Sequence, residues 1–172
     1  MRAAGPGQFP HLLLDVLEQL ASAGLPCAVA GALATSLHGV PRGTADADAV
    51  VWLHGSGLTP ETLAARLRSA GLQASLSEGD PADPIAARID IRDPYQNRVD
   101  LLIGIRGMDP EAARRTVTAP LLDTPVRFLG AEDLIAMKLF AGGGRDVEDV
   151  RGILQVSGPK LDLELLRRLV RR

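Results

Sequence analysis

The sequence predicts an α/β (α+β) fold: a mixed β-sheet with flanking helices, followed by a small helical C-terminal part. Three observations carry that expectation. Helix-like and strand-like segments alternate from 11 to 77, two runs around DPYQN read as a central hairpin, and helix-period patterns fill the end. The division falls at 128/129, with a sheet-bearing core over 1–128 and a helical part over 129–172 packed on it.

The elements follow in order. Leu12, Leu13, Val16, Leu17 and Leu20 form a helix-period stripe over 11–23, stopped by Gly24 and Pro26. Residues 27–30 are a short buried strand, Gly31 makes a tight turn, and 32–37 is a short helix closed by His38 and Gly39. A loop over 40–45 contains Pro41 and Gly43, and 46–53 is a strand. Thr59 reads as an N-cap with Pro60 at the first helical position, leading a helix to about Gly71. Strands are expected at 72–77, 87–92 and 98–103, the last two joined by DPYQN. A short helix at 109–115 starts with Pro110, and 116–119 with 124–128 form a second hairpin turning over 120–123. Leu134, Ile135, Met137, Leu139 and Phe140 mark 129–141 as a strongly amphipathic helix. Gly142 to Gly144 end it, a further helix starts near Arg145, and the last helix spans 161–170. Arg167, Arg168, Arg171 and Arg172 there complement its dipole.

The bulk composition removes several function classes. A length of 172 residues accommodates one domain with a real core, and 46% hydrophobic with 23% charged residues is ordinary for a globular chain. A net charge of −2 and 3% aromatic residues argue against a dedicated non-specific nucleic-acid binder built on stacking. The single cysteine, Cys27, excludes an intrachain disulfide and a cysteine zinc cluster. No apolar run approaches the ~20 residues of a membrane span, and the N-terminus lacks a signal-peptide core. No membrane partner is expected, and the cytoplasm is the default location.

The chemistry gathers on the stretch from Ala28 to Leu53. Asp46 and Asp48 are two apart in a strand, so their carboxylates point the same way. Gly31 opens a helix whose free N–H groups form an anion site. A carboxylate pair facing such a helix start is the arrangement that metal-assisted phosphoryl or nucleotidyl transfer needs. The spacing is not that of an EF-hand. Asp100 in RVDLLIG is the best third carboxylate. Asp90 in RIDIR pairs opposite it and either joins the metals or is a solvated edge residue, the second being preferred. Arg42 and Thr44 precede the pair and could reach phosphates. The three histidines show no ligand spacing, and Gly142 to Gly144 lack a following Gly-Lys-Ser/Thr, so they are a helix stop and not a P-loop.

These motifs, in this order, resemble the nucleotidyltransferase superfamily, with its Gly-Gly or Gly-Ser turn, D-x-D pair and later third acid. The closer resemblance is to the AbiEii toxin-like, minimal nucleotidyltransferase group: RGTADAD (42–48), VDLL (99–102) and EDLIAMKLFAGGGRDVEDV (132–150) look like its three motifs. The resemblance implies Mg²⁺ or Mn²⁺ held by the catalytic residues Asp46, Asp48 and Asp100. It implies an NTP contacted by Gly31, Ala32, Arg42, Thr44 and Lys138. Lys138 is also compatible with a solvated helix face. Asp146 and Asp149 are read equally as a helix cap with an acidic first turn and as auxiliary site residues. The implied acceptor hydroxyl belongs to RNA such as tRNA, to a protein or to a small molecule, and a toxin neutralised by an antitoxin is compatible with this. The chain departs from the family at Ala32, where a serine would lend a hydroxyl to the triphosphate. That departure motivates the rival expectation, an inactive NTP-binding or regulatory module.

Overall fold

The computed structural model describes residues 2–171, so Arg172 lies outside the described residues. The chain runs α1 (Phe9–Ser22), β1 (Cys27–Val29), α2 (Gly31–Leu37), β2 (Asp46–Val51), α3 (Pro60–Ser69), β3 (Gln73–Glu78), β4 (Ile85–Arg92), β5 (Arg98–Ile105), β6 (Val117–Leu121), β7 (Thr124–Phe128), α4 (Ala131–Ala141), α5 (Gly144–Ser157) and α6 (Leu163–Leu169), with short 3₁₀ turns at Pro110–Arg114 and Gly158–Lys160. Seven strands form one mixed sheet in the order β3-β4-β5-β2-β1-β7-β6. β2 runs parallel to β5 and β1 parallel to β7, and the remaining neighbours are antiparallel.

Strand alternation sorts the two faces of this sheet. Ala47, Ala49, Ile89, Ile91, Val99 and Leu101 are buried on the side packed by α1 and α3. Each such Ile or Leu contributes about 1.5–3 kcal/mol of burial. The other face carries Asp46 and Asp48 of β2, Arg98 and Asp100 of β5, and Arg88, Asp90 and Arg92 of β4. Leu134 and Ile135 of α4, Val150 and Ile153 of α5, and Leu166 of α6 join the same hydrophobic cluster as the sheet.

Local signals account for most boundaries. Thr59 caps α3 through a capping box with Thr62, with Pro60 in the first turn. Four expectations change. The 109–115 helix is a 3₁₀ turn in which the Asp109 carboxylate accepts from the Glu111 N–H. The second hairpin turns at Leu122 and Asp123 alone, because Pro120 is taken into edge strand β6. The last helix starts later, capped by Asp162, whose carboxylate accepts from the N–H groups of Glu164 and Leu165. Finally, α4 is not amphipathic: Asp133 and Lys138 are buried while Leu139 and Phe140 are exposed. Ion pairs inside the fold reverse the pattern. Asp133 is held by Arg115 at 2.7 Å, and Lys138 by two aspartates of α5. No helix is long and apolar enough to cross a membrane, among the described residues.

Candidate active site

The site is built where β1 hands over to α2 beside β2. Gly31 adopts φ +55°, and a Cβ there would lie 1.9 Å from Asp48 Oδ2. Only glycine leaves room for that carboxylate while turning the chain into the helix. The Ala30 N–H donates to the Asp48 carbonyl at 2.8 Å, fixing the turn to β2. Ala32, the next residue of α2, is buried. Thr44 donates its hydroxyl to Asp46 Oδ1 at 2.8 Å, which positions the first carboxylate.

Sheet register then assembles the acids. The parallel β2–β5 ladder sets Asp48 beside Asp100 and Asp46 beside Arg98. The antiparallel β4–β5 ladder sets Asp90 opposite Asp100. Four carboxylates therefore share one sheet face. Burial, followed by the nearby carboxylates of Asp46 and Asp100, pushes Asp48 up to about 6, while Lys138 and Arg98 pull the other way. Burial also raises Asp100 above the usual carboxylate range, against the opposing pull of Arg98 and Arg88.

Arg98 is the cation that holds this cluster together. Its guanidinium lies 2.7 Å from Asp100 Oδ2, 2.7 Å from Asp90 Oδ2 and 4.0 Å from Asp46 Oδ2. Arg92 Nε donates to Asp90 Oδ1 at 2.9 Å, and Arg88 approaches Asp100 to 3.9 Å. Asp90 is thus not a solvated edge residue, because β3 pairs along β4 and two arginines engage its carboxylate. With Asp100 turned onto Arg98, no three His, Cys, Asp or Glu side chains converge on a common metal position, among the described residues. The donor set still fits a hard divalent cation. Asp46, Asp48 and Asp100 offer only carboxylate oxygens, buried and crowded enough to raise Asp48, and a guanidinium already serves there as the compensating charge.

A second charge cluster lies behind the first. Lys138 Nζ donates to Asp146 Oδ1 at 3.0 Å and to Asp149 Oδ2 at 2.7 Å, and Arg42 Nη1 also donates to Asp149 Oδ2. Lys138 is buried, which excludes the solvated-face alternative. Asp146 is not an N-cap: Gly143 holds that position in α5, and the Asp146 side chain points at Lys138. Two cations and two carboxylates make this cluster self-neutral. His38 closes α2 and binds the Leu129 carbonyl through Nε2 at 2.8 Å, and Ser157 donates its hydroxyl to the His38 carbonyl. This ties α5 to the loop that carries Arg42.

The arginines on the acidic face went unremarked in the sequence, although a signal was present. RIDIR and RVDLL place Arg88, Arg92 and Arg98 two residues from Asp90 or Asp100, hence on the same face. A cavity of about 540 Å³ lies elsewhere, between α1 and the β6–β7 hairpin, with Leu14, Leu17, Cys27 and Val126 in its wall. Volume alone therefore does not locate the chemistry. Burial pushes the Cys27 thiol up, so it behaves as a small apolar side chain.

Solved structures share this architecture. An antigenic nucleotidyltransferase-like protein from Paracoccidioides brasiliensis is similar at TM-score 0.57 and 18% identity, over 98% of this chain and 88% of that one. ANT(2'')-Ia, solved in complex with adenylyl-2''-tobramycin, is similar at TM-score 0.59 and 20% identity, over 94% of this chain and 96% of that one. A putative nucleotidyltransferase from Thermotoga maritima is similar at TM-score 0.57 and 15% identity, over 88% and 96%. No protein-family model matches the sequence, and no curated protein matches it. At these identities the likeness establishes the fold, which is that of nucleotidyltransferases.

Proposed function

We propose that this protein is a divalent-metal-dependent nucleotidyltransferase that moves a nucleoside monophosphate from an NTP to an acceptor hydroxyl. One observation carries the reading: the β2–β5 register sets Asp48 beside Asp100, against the backbone of Gly31. Asp46, Asp48 and Asp100 would hold Mg²⁺ or Mn²⁺, which when bound neutralises triphosphate charge and activates the acceptor oxygen. Thr44 orients Asp46, and the turn at Gly31 and Ala32 leaves backbone N–H groups to meet phosphate oxygens. The raised Asp100 carboxylate is suited to receive the proton of the acceptor hydroxyl. Arg42, Lys138, Asp146 and Asp149 act as a unit that stiffens the loop before Asp46 from behind.

Calorimetric titration with each NTP in the presence of Mg²⁺ tests this. Combining Asp46→Ala with Asp48→Ala is expected to remove NTP affinity with the fold intact by circular dichroism. Unchanged affinity in that variant would overturn the assignment.

Ala32 favours one alternative, an NTP-binding module that no longer transfers, because its methyl group offers phosphate no hydroxyl. Labelled NTP offered with RNA, protein and small-molecule acceptors separates the two, since binding without transfer selects the module. The AbiEii-like assignment and a toxin role rest on the three ordered motifs. Growth arrest on expression, relieved by Asp48→Asn, is the expected sign of that role.

A further inference from the structure

Gly31 and α2 lie over β2 on one side of Asp46, Asp48 and Asp100, while β4 and β3 extend from the other side. With the NTP placed at Gly31, as the reading above has it, an acceptor must approach over β5, β4 and β3. That side is basic. Arg98, Arg88 and Arg92 share the face, and the exposed Ser77 and Ser75 of β3 stand opposite Arg88 and Asp90. The Arg88 and Arg92 side chains are 46% and 41% exposed. A hollow of about 230 Å³, walled also by Glu78 and Asp83, opens beside Ser77 and Arg88.

Asp90 orders this platform. One of its oxygens takes Arg92 Nε at 2.9 Å and the other lies 2.7 Å from Arg98 Nε, so both guanidiniums are held by their inner edges. Arg98 is taken up by Asp100 and Asp90 at 2.7 Å each, which leaves Arg88, 3.9 Å from Asp100, and the outer edge of Arg92 to face an incoming group. Those open guanidinium edges are the positive charge available to an incoming anion. Arg42 and Lys138 cannot supply it, being balanced by Asp146 and Asp149. Guanidinium forks match phosphate oxygens in geometry as well as in charge.

From this we infer that the β3–β4–β5 face binds the acceptor through a phosphate group close to the hydroxyl that is modified, so the acceptor is a phosphorylated compound and not a neutral or cationic one. The inference rests on the nucleotidyl-transfer reading for the direction of approach, but its test does not. The full chain is titrated calorimetrically with ribose 5-phosphate, ribose, glucosamine and a short RNA with a free 3′ hydroxyl, with and without Mg²⁺ and NTP.

Ribose 5-phosphate or the RNA is expected to bind, and ribose and glucosamine to give no saturable heat. Arg88→Gln with Arg92→Gln is expected to weaken the phosphorylated probe at least about tenfold, leaving NTP affinity within about twofold. Arg88→Lys with Arg92→Lys, which keeps the charge, is expected to recover part of the loss. A response to ribose 5-phosphate alone assigns the phosphate to a small molecule, and a response to the RNA alone assigns it to a nucleic-acid end. Binding of neither, equal binding of ribose or glucosamine, or full affinity in a folded glutamine variant overturns the inference. Failure of the wild-type chain to bind any NTP strikes instead at the proposed function, because the titrations without NTP still judge the platform.

Discussion

Gly31 shows how one residue without a side chain sets the geometry of the site. Its φ of +55° costs an L-residue about 1–2 kcal/mol, and any Cβ would collide with Asp48 Oδ2. Gly31→Ala is therefore expected to lower stability by at least about 1 kcal/mol in urea unfolding and to displace the carboxylate, weakening Mg²⁺-dependent NTP binding. Equal stability and NTP affinity in that variant would show that the turn tolerates a side chain. The gathering of Asp46, Asp48 and Asp100 beside Gly31 was legible in the sequence, because a strand's two-residue period decides which carboxylates share a face. The role of Arg98 was not. Its backbone position followed from the same period, but its choice among Asp46, Asp90 and Asp100 depends on where a long flexible side chain ends up, and three strands decide that together.

At the scale of elements, α4 and α5 invert the usual rule for a helix pair. Apolar spacing correctly located α4, yet its charged residues face inward and Phe140 is 53% exposed. Periodicity reads hydrophobicity and is blind to a buried ion pair, so a lysine whose partners lie eight and eleven residues ahead cannot be placed from its own helix. Removing one partner from a buried pair leaves an uncompensated charge, which costs about 3–5 kcal/mol. Lys138→Met leaves Asp149 buried with Arg42 alone, and is expected to lower unfolding stability by about 3 kcal/mol. A loss of NTP affinity without a loss of stability would instead make Lys138 a direct phosphate ligand. The packing around α5 adds a constraint that local pattern also hides. A Cβ on Gly152 would meet Val40 at 2.8 Å and one on Gly39 would meet Val156 at 2.4 Å, so α5 lies close against the loop that leads to Arg42.

Across the whole molecule, the sequence carried the kinds of element and their order but not the order of strands in space. β1 lies between β2 and β7, strands that follow it after very different lengths of chain, and no local signal records such pairings. The resulting sheet gathers like charges on one face, and this has a consequence for stability. Asp48 titrates at about 6 in the fold against 3.8 as an ordinary carboxyl. Between those values the folded state holds a proton that the unfolded chain has released, so stability falls as pH rises through this window and stays reduced above it. At 1.36 kcal/mol for each pKa unit, the ionised carboxylate costs up to about 3 kcal/mol at neutral pH. A divalent cation offsets that cost only where Asp48 is ionised. Mg²⁺ or Mn²⁺ at about ten times its dissociation constant adds about 1.4 kcal/mol, a rise of about 3–6 °C in Tm for a chain of this size. Thermal unfolding at pH 7.5 is expected to show that rise, and at pH 5 to show little of it, because the proton already occupies the carboxylate. Asp48→Asn is expected to raise Tm at pH 7.5 without metal, to flatten the pH dependence, and to abolish the response to the cation. A metal-induced rise of equal size at both pH values, or one that survives in Asp48→Asn, would place the cation away from this carboxylate face.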